Sequence, residues 1–559
     1  MEIDLRFKKN INKHYLNDFN FISNNSINEF NKFFESLSVD QSLDWWLSSP
    51  ASRYNLSSPF FHNFCIFKFL EYLKDTNNLP KSIIIDSDAL NDELKKFILK
   101  KNININIKLI KYKFFKLKSF FKNYLIFSHQ ILFRFAQLFI VKLFIYKKKI
   151  PNNLSKNIII DKYIFPSFVS TERYYNGLKD NLNTINSKIY FVPTLAMFKI
   201  SELLKTYLTL NSSSDNYFFK ESYYSLGSII YSLFHFYRKR KLIFNNSKYN
   251  DIEFLNIINE ELNNDSIAFF AAVEGFLTIE FIKKIKHKGF KFFKIIDWYE
   301  NQTVDKAWNY GFNTYFPDTK SLGYKGMAPS QMLLSEIFTL DIERKSNLLP
   351  KKIGVIGSGF QEKSRKYNSI TPIIVCPAFR FNYLWQYKSK SKSKSNILLF
   401  ALPISIDQSI QILSNLKYID TNNLNFKIYI KPHPTTNNEI YIKYLKEINV
   451  KKYKIIDLPT NKILPFIEIL IGGMSSISLE SICLGIKTII VANNSGLNYF
   501  TIPSKISKKF YKICNINDNL FNIINEYEKE FNQDHDEVLK LKKSYFEPIN
   551  SISMDNFIN

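Results

Sequence analysis

The chain has 559 residues, 45% of them hydrophobic, which is enough apolar material to fill the cores of about three ordinary domains. Its four cysteines, Cys65, Cys376, Cys483 and Cys514, lack Cys-x-x-Cys spacing, and its seven histidines form no His-x-x-x-His pair beside carboxylates. A disulfide frame and a metal site are therefore not expected, while a formal net charge of +26 points to anionic partners.

The opening Met1-Glu2-Ile3-Asp4-Leu5-Arg6 brings acids early and no secretory apolar core, so no signal peptide is expected and the protein is expected in the cytoplasm. A strand over 82–85 leads into Asp86, which is either a base at a strand end or, with Ser87 and Asp88, part of a helix N-cap. From residue 95 to residue 149 the chain carries fifteen Lys or Arg and no acid. Within that segment, residues 123–141 are apolar except for Gln130, Arg134 and Gln137, which fall on one stripe of a helix.

Two readings of this basic amphipathic helix stand. It lies in the plane of an anionic membrane surface, with Lys111, Lys113, Lys116, Lys118 and Lys147 to Lys149 meeting headgroups, or it packs internally with a solvated basic rim. A membrane span would bury Arg134 at a cost of about 2.5–3.5 kcal/mol on insertion scales, which disfavours it. The phenylalanines here sit among Leu and Ile and no recognition motif accompanies them, so a nucleic-acid partner is not expected.

Further strands are predicted over 157–160, 188–192, 292–296, 352–356 and 372–375, separated by helical stretches. The strand over 292–296 runs into Asp297-Trp298-Tyr299-Glu300-Asn301-Gln302. There Glu300 is either a general base for an acceptor hydroxyl or, with Asp297, a cap for the helix that begins near Thr303, with Lys306 as an ion-pair partner. Arg380, just past 372–375, either offsets donor charge or is an ordinary surface arginine. The alternating Lys-Ser run 388–395 cannot bury anything and reads as a solvated linker.

Beyond it, strands over 397–402, 426–430, 454–456, 467–471 and 488–491 alternate with helices, the signature of a doubly wound parallel sheet. The second of these stops at Lys431-Pro432-His433-Pro434 and the fourth at Gly472-Gly473-Met474-Ser475-Ser476, ahead of a helical pattern over 476–484. Strand ends, backbone N–H groups, two serines and His433 form a candidate phosphate site, and His433 would bond the anion or protonate a departing phosphate. The plainer reading of Gly-Gly-x-Ser-Ser is a helix cap.

The Lys431-Pro432-His433-Pro434 and Ser475-Ser476 elements resemble the nucleotide-binding half of GT-B glycosyltransferases that build bacterial surface polysaccharides, including sialyltransferase-like, Kdo-transferase-like and CDP-glycerol-transferase-like enzymes. Trp45-Trp46-Leu47, Glu300-Asn301-Gln302, Gly323-Tyr324-Lys325-Gly326 and Pro377-Ala378-Phe379-Arg380-Phe381 look like ordered landmarks of a surface-carbohydrate biosynthesis family, although that family usually has Gln at the position of Lys325. The resemblance implies an α/β GT-B fold, two Rossmann-like domains facing each other across a cleft. The first, 1–387, holds the acceptor side and the basic insertion 95–150; the second, 396–517, binds the donor; the helical tail 518–559 crosses back.

It further implies that Lys431, His433, Gly473, Ser475, Ser476 and Glu480 hold the donor, and that Gln302, Tyr324 and Arg380 line the cleft, with Glu300 or Asp86 as base. The implied activity is transfer of Kdo or a nonulosonic acid from a CMP donor to a polysaccharide or lipid-linked acceptor at the cytoplasmic face of the inner membrane. No metal or other cofactor is expected. The alternatives are a CDP-glycerol- or UDP-sugar-dependent transferase, a sugar-nucleotide epimerase, and a non-catalytic membrane-associated scaffold.

Overall fold

The computed structural model describes residues 1–110, 115–145, 153–182, 188–264, 267–387, 396–418, 426–494, 496–516, 518–530 and 534–559. Short Ile-rich runs buried on both faces form parallel strands, as expected where helices cover both sides of a sheet. β1 (Glu2–Asp4), β2 (Ser82–Ile85) and β3 (Asn106–Leu109) make a small parallel sheet in that order. β4 (Asn153–Ile164) and β5 (Ile189–Leu195) begin a second; after the hairpin of β6 (Lys248–Tyr249) and β7 (Ile252–Glu253), it is completed by β8 (Lys291–Trp298), β9 (Lys320–Lys325), β10 (Lys352–Val355) and β11 (Ile373–Val375). The third contains β12 (Ile397–Ala401), β13 (Lys427–Lys431), β14 (Lys454–Ile455), β15 (Ile469–Gly472), β16 (Lys487–Val491) and β17 (Tyr511–Cys514).

The second sheet runs β11-β10-β9-β8-β4-β5 and the third β14-β13-β12-β15-β16-β17, both wholly parallel. Strand order therefore reverses between β4 and β8 in one and between β12 and β15 in the other. These are the two positions where open α/β sheets form ligand crevices beyond the strand carboxyl ends. The chain is thus an α/β protein with two Rossmann-like units, as the GT-B architecture requires. Its last helices, His535–Tyr545 and Ser551–Ile558, return to the second sheet: Glu547 N–H donates to Ile356 O at 2.7 Å, and Phe557 packs on Tyr324 and Phe379.

Two features differ from the sequence reading. Residues 82–85 were expected in the sheet of the first domain, but β2 belongs to the separate three-stranded sheet, covered by the helices Lys13–Leu37 and Phe60–Asp75 through Phe30 packed on Phe60, Phe61 and Phe64. The stripe Gln130, Arg134 and Gln137 on the helix Phe115–Phe144 does not face water or headgroups. It is buried: Arg134 pairs with Glu274, which also holds Lys220, and Gln137 Nε2 donates to the Tyr207 hydroxyl at 3.0 Å. Lys111, Lys113, Lys147 to Lys149 and the Lys-Ser run 388–395 lie outside the described residues, as do the side chains of Lys116 and Lys118.

A second buried ion cluster joins the segment before the helix Phe60–Asp75 to the turn that follows β8. Glu343 accepts from Arg53 Nη2 at 3.0 Å, Lys306 Nζ at 3.0 Å, Asn301 Nδ2 at 3.1 Å and the Leu340 N–H at 2.9 Å. Burial pushes its carboxyl up, but Arg53 and Lys306 more than offset this and hold it down at about 2. Removing the carboxylate leaves two cations buried, so Glu343→Ala is expected to lower unfolding stability by about 3–5 kcal/mol in urea titration. Because the folded carboxyl titrates near 2 against an ordinary value of 4.5, this contribution is complete above pH 4.5 and is lost as pH falls from there toward 2. The difference in stability between wild type and Glu343→Ala should shrink over that window.

Candidate active site

The reversal between β4 and β8 is filled by carboxylates. Asp161, on β4, accepts from the Trp298 N–H at 2.6 Å, and Asp297, on β8, accepts from Asn309 Nδ2 at 2.8 Å. The chain leaves β8 through Asn301, whose φ of +55° lies in the left-handed region that Asn tolerates better than most residues. Asp305, in the first turn of the helix Thr303–Tyr315, accepts from the N–H groups of Glu300 at 2.9 Å and Gln302 at 3.0 Å, and so fixes this turn. Glu300 then accepts from the Trp298 indole at 2.9 Å and from Gln302 Nε2 at 2.7 Å. Gly326 is required opposite, since a Cβ there would collide with the Trp298 ring.

Burial pushes the Asp305 carboxyl up to about 7, reinforced by the charge of Glu300. Burial also raises Glu300, while the Trp298 indole, Arg380 and Arg173 pull it back. Asp161 and Asp297 are raised well above the ordinary range, first by burial and then by neighbouring carboxylates. Asp161 and Asp297 are thus spent on backbone and amide partners, and Asp305 on two backbone N–H groups and the Tyr163 hydroxyl at 3.3 Å. Glu300 and Glu336 line a small cavity with Trp298, Lys325, Gly326 and Met327.

On the third sheet, β13 ends at buried Lys431, and His433 follows beyond Pro432. The Thr435 N–H donates to His433 Nδ1 at 3.3 Å, with the Thr435 hydroxyl 2.7 Å from the same atom, so the neutral ring carries its proton on Nε2. Burial, Arg173, Arg380 and Lys431 together lower His433 to about 4. Arg173 and Arg380 therefore lie within electrostatic reach of both Glu300 and His433. Arg173 escaped the sequence reading; its one signal was its place among aromatics, and its guanidinium stacks 4.6 Å from the Phe168 ring centre.

At the end of β15, Gly473 makes room for Gln408, whose side chain would lie 2.8 Å from a Cβ there and whose Oε1 accepts from the Met474 N–H at 3.3 Å. The helix that follows is short, Ile477–Ile482, and Ser476 does not cap it; its hydroxyl donates to Glu480 at 2.8 Å. Ser475 offers its carbonyl to the Thr501 hydroxyl at 2.8 Å. Glu480 also accepts from the Tyr383 phenol, so both of its oxygens are engaged and it ties the third sheet to the segment after β11.

Other predicted residues fall elsewhere. Tyr324 is core: its hydroxyl donates to Pro377 O at 2.6 Å and accepts from the Phe379 N–H at 3.3 Å, holding the loop that carries Arg380. Lys306 pairs with Glu343 and not with Glu300 or Asp297. Asp86 lines a separate cavity of about 280 Å³ beside the three-stranded sheet, with Ser87, Glu260 and Glu261.

No protein-family model matches the chain, and no curated protein matches it. Solved structures of similar backbone include UDP-GlcNAc 2-epimerase from Neisseria meningitidis bound to UDP-GlcNAc, at 12% identity over 72% of this chain and 98% of that one, with a TM-score of 0.40. MnaA of S. aureus with UDP gives 8% identity over 72% and 95%, TM-score 0.41, and MurG of Acinetobacter baumannii 8% over 72% and 98%, TM-score 0.36. 

The ring of His433 offers a direct check on the site's electrostatics. Nitrogen-detected NMR of the imidazole is expected to show a neutral ring protonated at Nε2 at pH 7, titrating near 4, and this titration should move up toward 6.5 in Arg173→Gln or Arg380→Gln.

Proposed function

We propose that the protein transfers a sugar from a nucleotide donor to a carbohydrate acceptor, with the donor phosphates held between the third and second sheets. The observation that carries this reading is that Arg173 and Arg380 act electrostatically on both His433, which Lys431 also influences, and Glu300, so that the ends of β13 and β8 share one positive field. Four donors of positive potential or N–H bonds suit a phosphate, and the Glu300 carboxylate suits the proton of an incoming hydroxyl.

In this mechanism Glu300 accepts the acceptor's hydroxyl proton as its oxygen attacks the anomeric carbon, and the bond from that carbon to the phosphate oxygen breaks. The electron pair leaves on the phosphate, where Lys431 and the two arginines stabilise it. His433, neutral near pH 7, serves by hydrogen-bonding through Nε2–H and not by releasing a proton. Ser475, Gly473 and Glu480 shape the wall of the donor site, and Gln302 orients Glu300. A CMP-linked acidic sugar, Kdo or a nonulosonic acid, remains our preferred donor, ahead of CDP-glycerol or a UDP-sugar, and a surface polysaccharide or lipid-linked glycan the preferred acceptor.

Calorimetric titration with CMP, CDP, UMP and UDP tests the donor side. Selective binding of CMP, weakened about tenfold or more in His433→Ala, is the expected outcome, a loss of about 1.4 kcal/mol or more. Binding of no nucleotide would overturn the reading in favour of a scaffold. Glu300→Gln is expected to retain nucleotide affinity but lower kcat about 10²- to 10⁴-fold. Conversion of a nucleotide sugar without any acceptor would instead identify an epimerase, the reading favoured by the second cavity carboxylate, Glu336.

A further inference from the structure

The helix Phe115–Phe144 is amphipathic in the opposite sense from an ordinary surface helix. Its polar stripe is fastened inside by Arg134, Glu274 and Lys220, and its outward face is apolar: Leu125, Leu132, Phe139 and Leu143 are 71%, 62%, 50% and 71% exposed. They recur along one side at helical spacing, with exposed Ser128 and His129 as polar interruptions. The helix packs against Leu203–Ser212 and Leu226–Leu233, and these too turn apolar side chains outward, Leu204 and Leu208 from one and Leu226 and Ile230 from the other, with Phe234 following. A soluble monomer rarely leaves so much contiguous apolar surface uncovered.

The charge around this face is of one sign. Residues 115–144, 203–212 and 226–241 carry ten Lys or Arg and no Asp or Glu, and Lys122, Lys142, Lys205, Arg240 and Lys241 are exposed. Such a surface repels its own copy across a two-fold axis, and its apolar band with a cationic rim complements an anionic lipid surface. The helix meets the length and hydropathy of a membrane span over Phe121–Phe144, but spanning would pull Arg134 from Glu274 into hydrocarbon.

We propose that the outward face of the helix Phe115–Phe144, continued by its two neighbouring helices, seats the protein in plane on the anionic surface of a lipid bilayer. The polar stripe stays docked on the protein, and the apolar side chains enter the acyl boundary while the exposed lysines and arginines meet headgroups.

Flotation of the full chain with vesicles of phosphatidylcholine alone or with phosphatidylglycerol decides this. Wild type is expected to float with the anionic vesicles, less so at high salt, and Leu125→Glu/Leu132→Glu/Phe139→Glu to lose binding about tenfold or more with an unchanged thermal melt. Should that variant not fold, Lys122→Gln/Arg240→Gln/Lys241→Gln, confined to exposed positions, is expected to lose the preference for phosphatidylglycerol. Wild type that does not float, or folded variants that float as well as wild type, would overturn the proposal. So would light scattering that reveals a dimer dissociated by the Glu variant, since this face would then be an interface between copies.

Discussion

Glu343 receives hydrogen bonds from three separate parts of the chain: Arg53, beyond the first long helix; Asn301 and Lys306, which bracket the start of the helix after β8; and the backbone of Leu340. One carboxylate facing two cations leaves an excess positive charge away from water, which would be costly without further partners. Those partners are present. Arg53 also donates to Phe338 O at 2.6 Å and lies over the Phe34 ring, and Lys306 donates to Ala51 O at 2.6 Å with the Trp46 ring 5.5 Å away. Asn301 adjoins Glu300 in the chain, so this cluster anchors one side of the turn that Asp305 fixes and that carries Glu300. The segment around Arg53 thereby braces the site without contributing a residue to it.

The strands of the two large sheets were legible wherever a run of Ile, Leu or Phe was bounded by polar or Gly-Pro residues, because a parallel sheet buries both faces and leaves a continuous apolar signature. β9 was not, since Lys320-Ser321-Leu322-Gly323-Tyr324-Lys325 mixes in polar residues whose burial depends on distant partners: a Cβ at Gly323 would meet Pro350 and Tyr299, and Lys325 reaches the Glu336 carbonyl. β1 and β3 are short edge strands with partly exposed residues and give little periodic signal. The chemistry at strand ends was visible for Glu300 and His433, but not which ends meet. Asp86 and Glu300 follow similar apolar runs, and only the sheet order separates them. Lys306 was assigned to a local carboxylate by helical spacing, whereas its partner Glu343 lies far along the sequence, a distance that periodicity does not encode.

The helix Phe115–Phe144 shows the same limit in another form. Spacing identifies a polar stripe and an apolar face, but not which of them is turned inward. The usual assignment follows from the low cost of burying apolar groups. Here Glu274 and Lys220 supply the charges that Arg134 needs, Tyr207 supplies the acceptor for Gln137, and the stripe becomes the internal contact.

Electrostatic coupling across the cleft links donor binding to the base in the proposed reaction. In the free protein the Glu300 carboxyl is raised by burial and drawn back by the Trp298 indole, Arg380 and Arg173, while burial, reinforced by the same two arginines and Lys431, lowers His433. A donor phosphate placed among them would neutralise much of their field. Glu300 would keep its hydrogen bonds from Trp298 and Gln302 but lose the pull of the two arginines, and so become more basic. His433 would become easier to protonate for the same reason, strengthening its bond to the phosphate as charge develops there. Both changes follow from the arrival of one anion, so donor binding and the basicity of Glu300 are coupled in the proposed reaction.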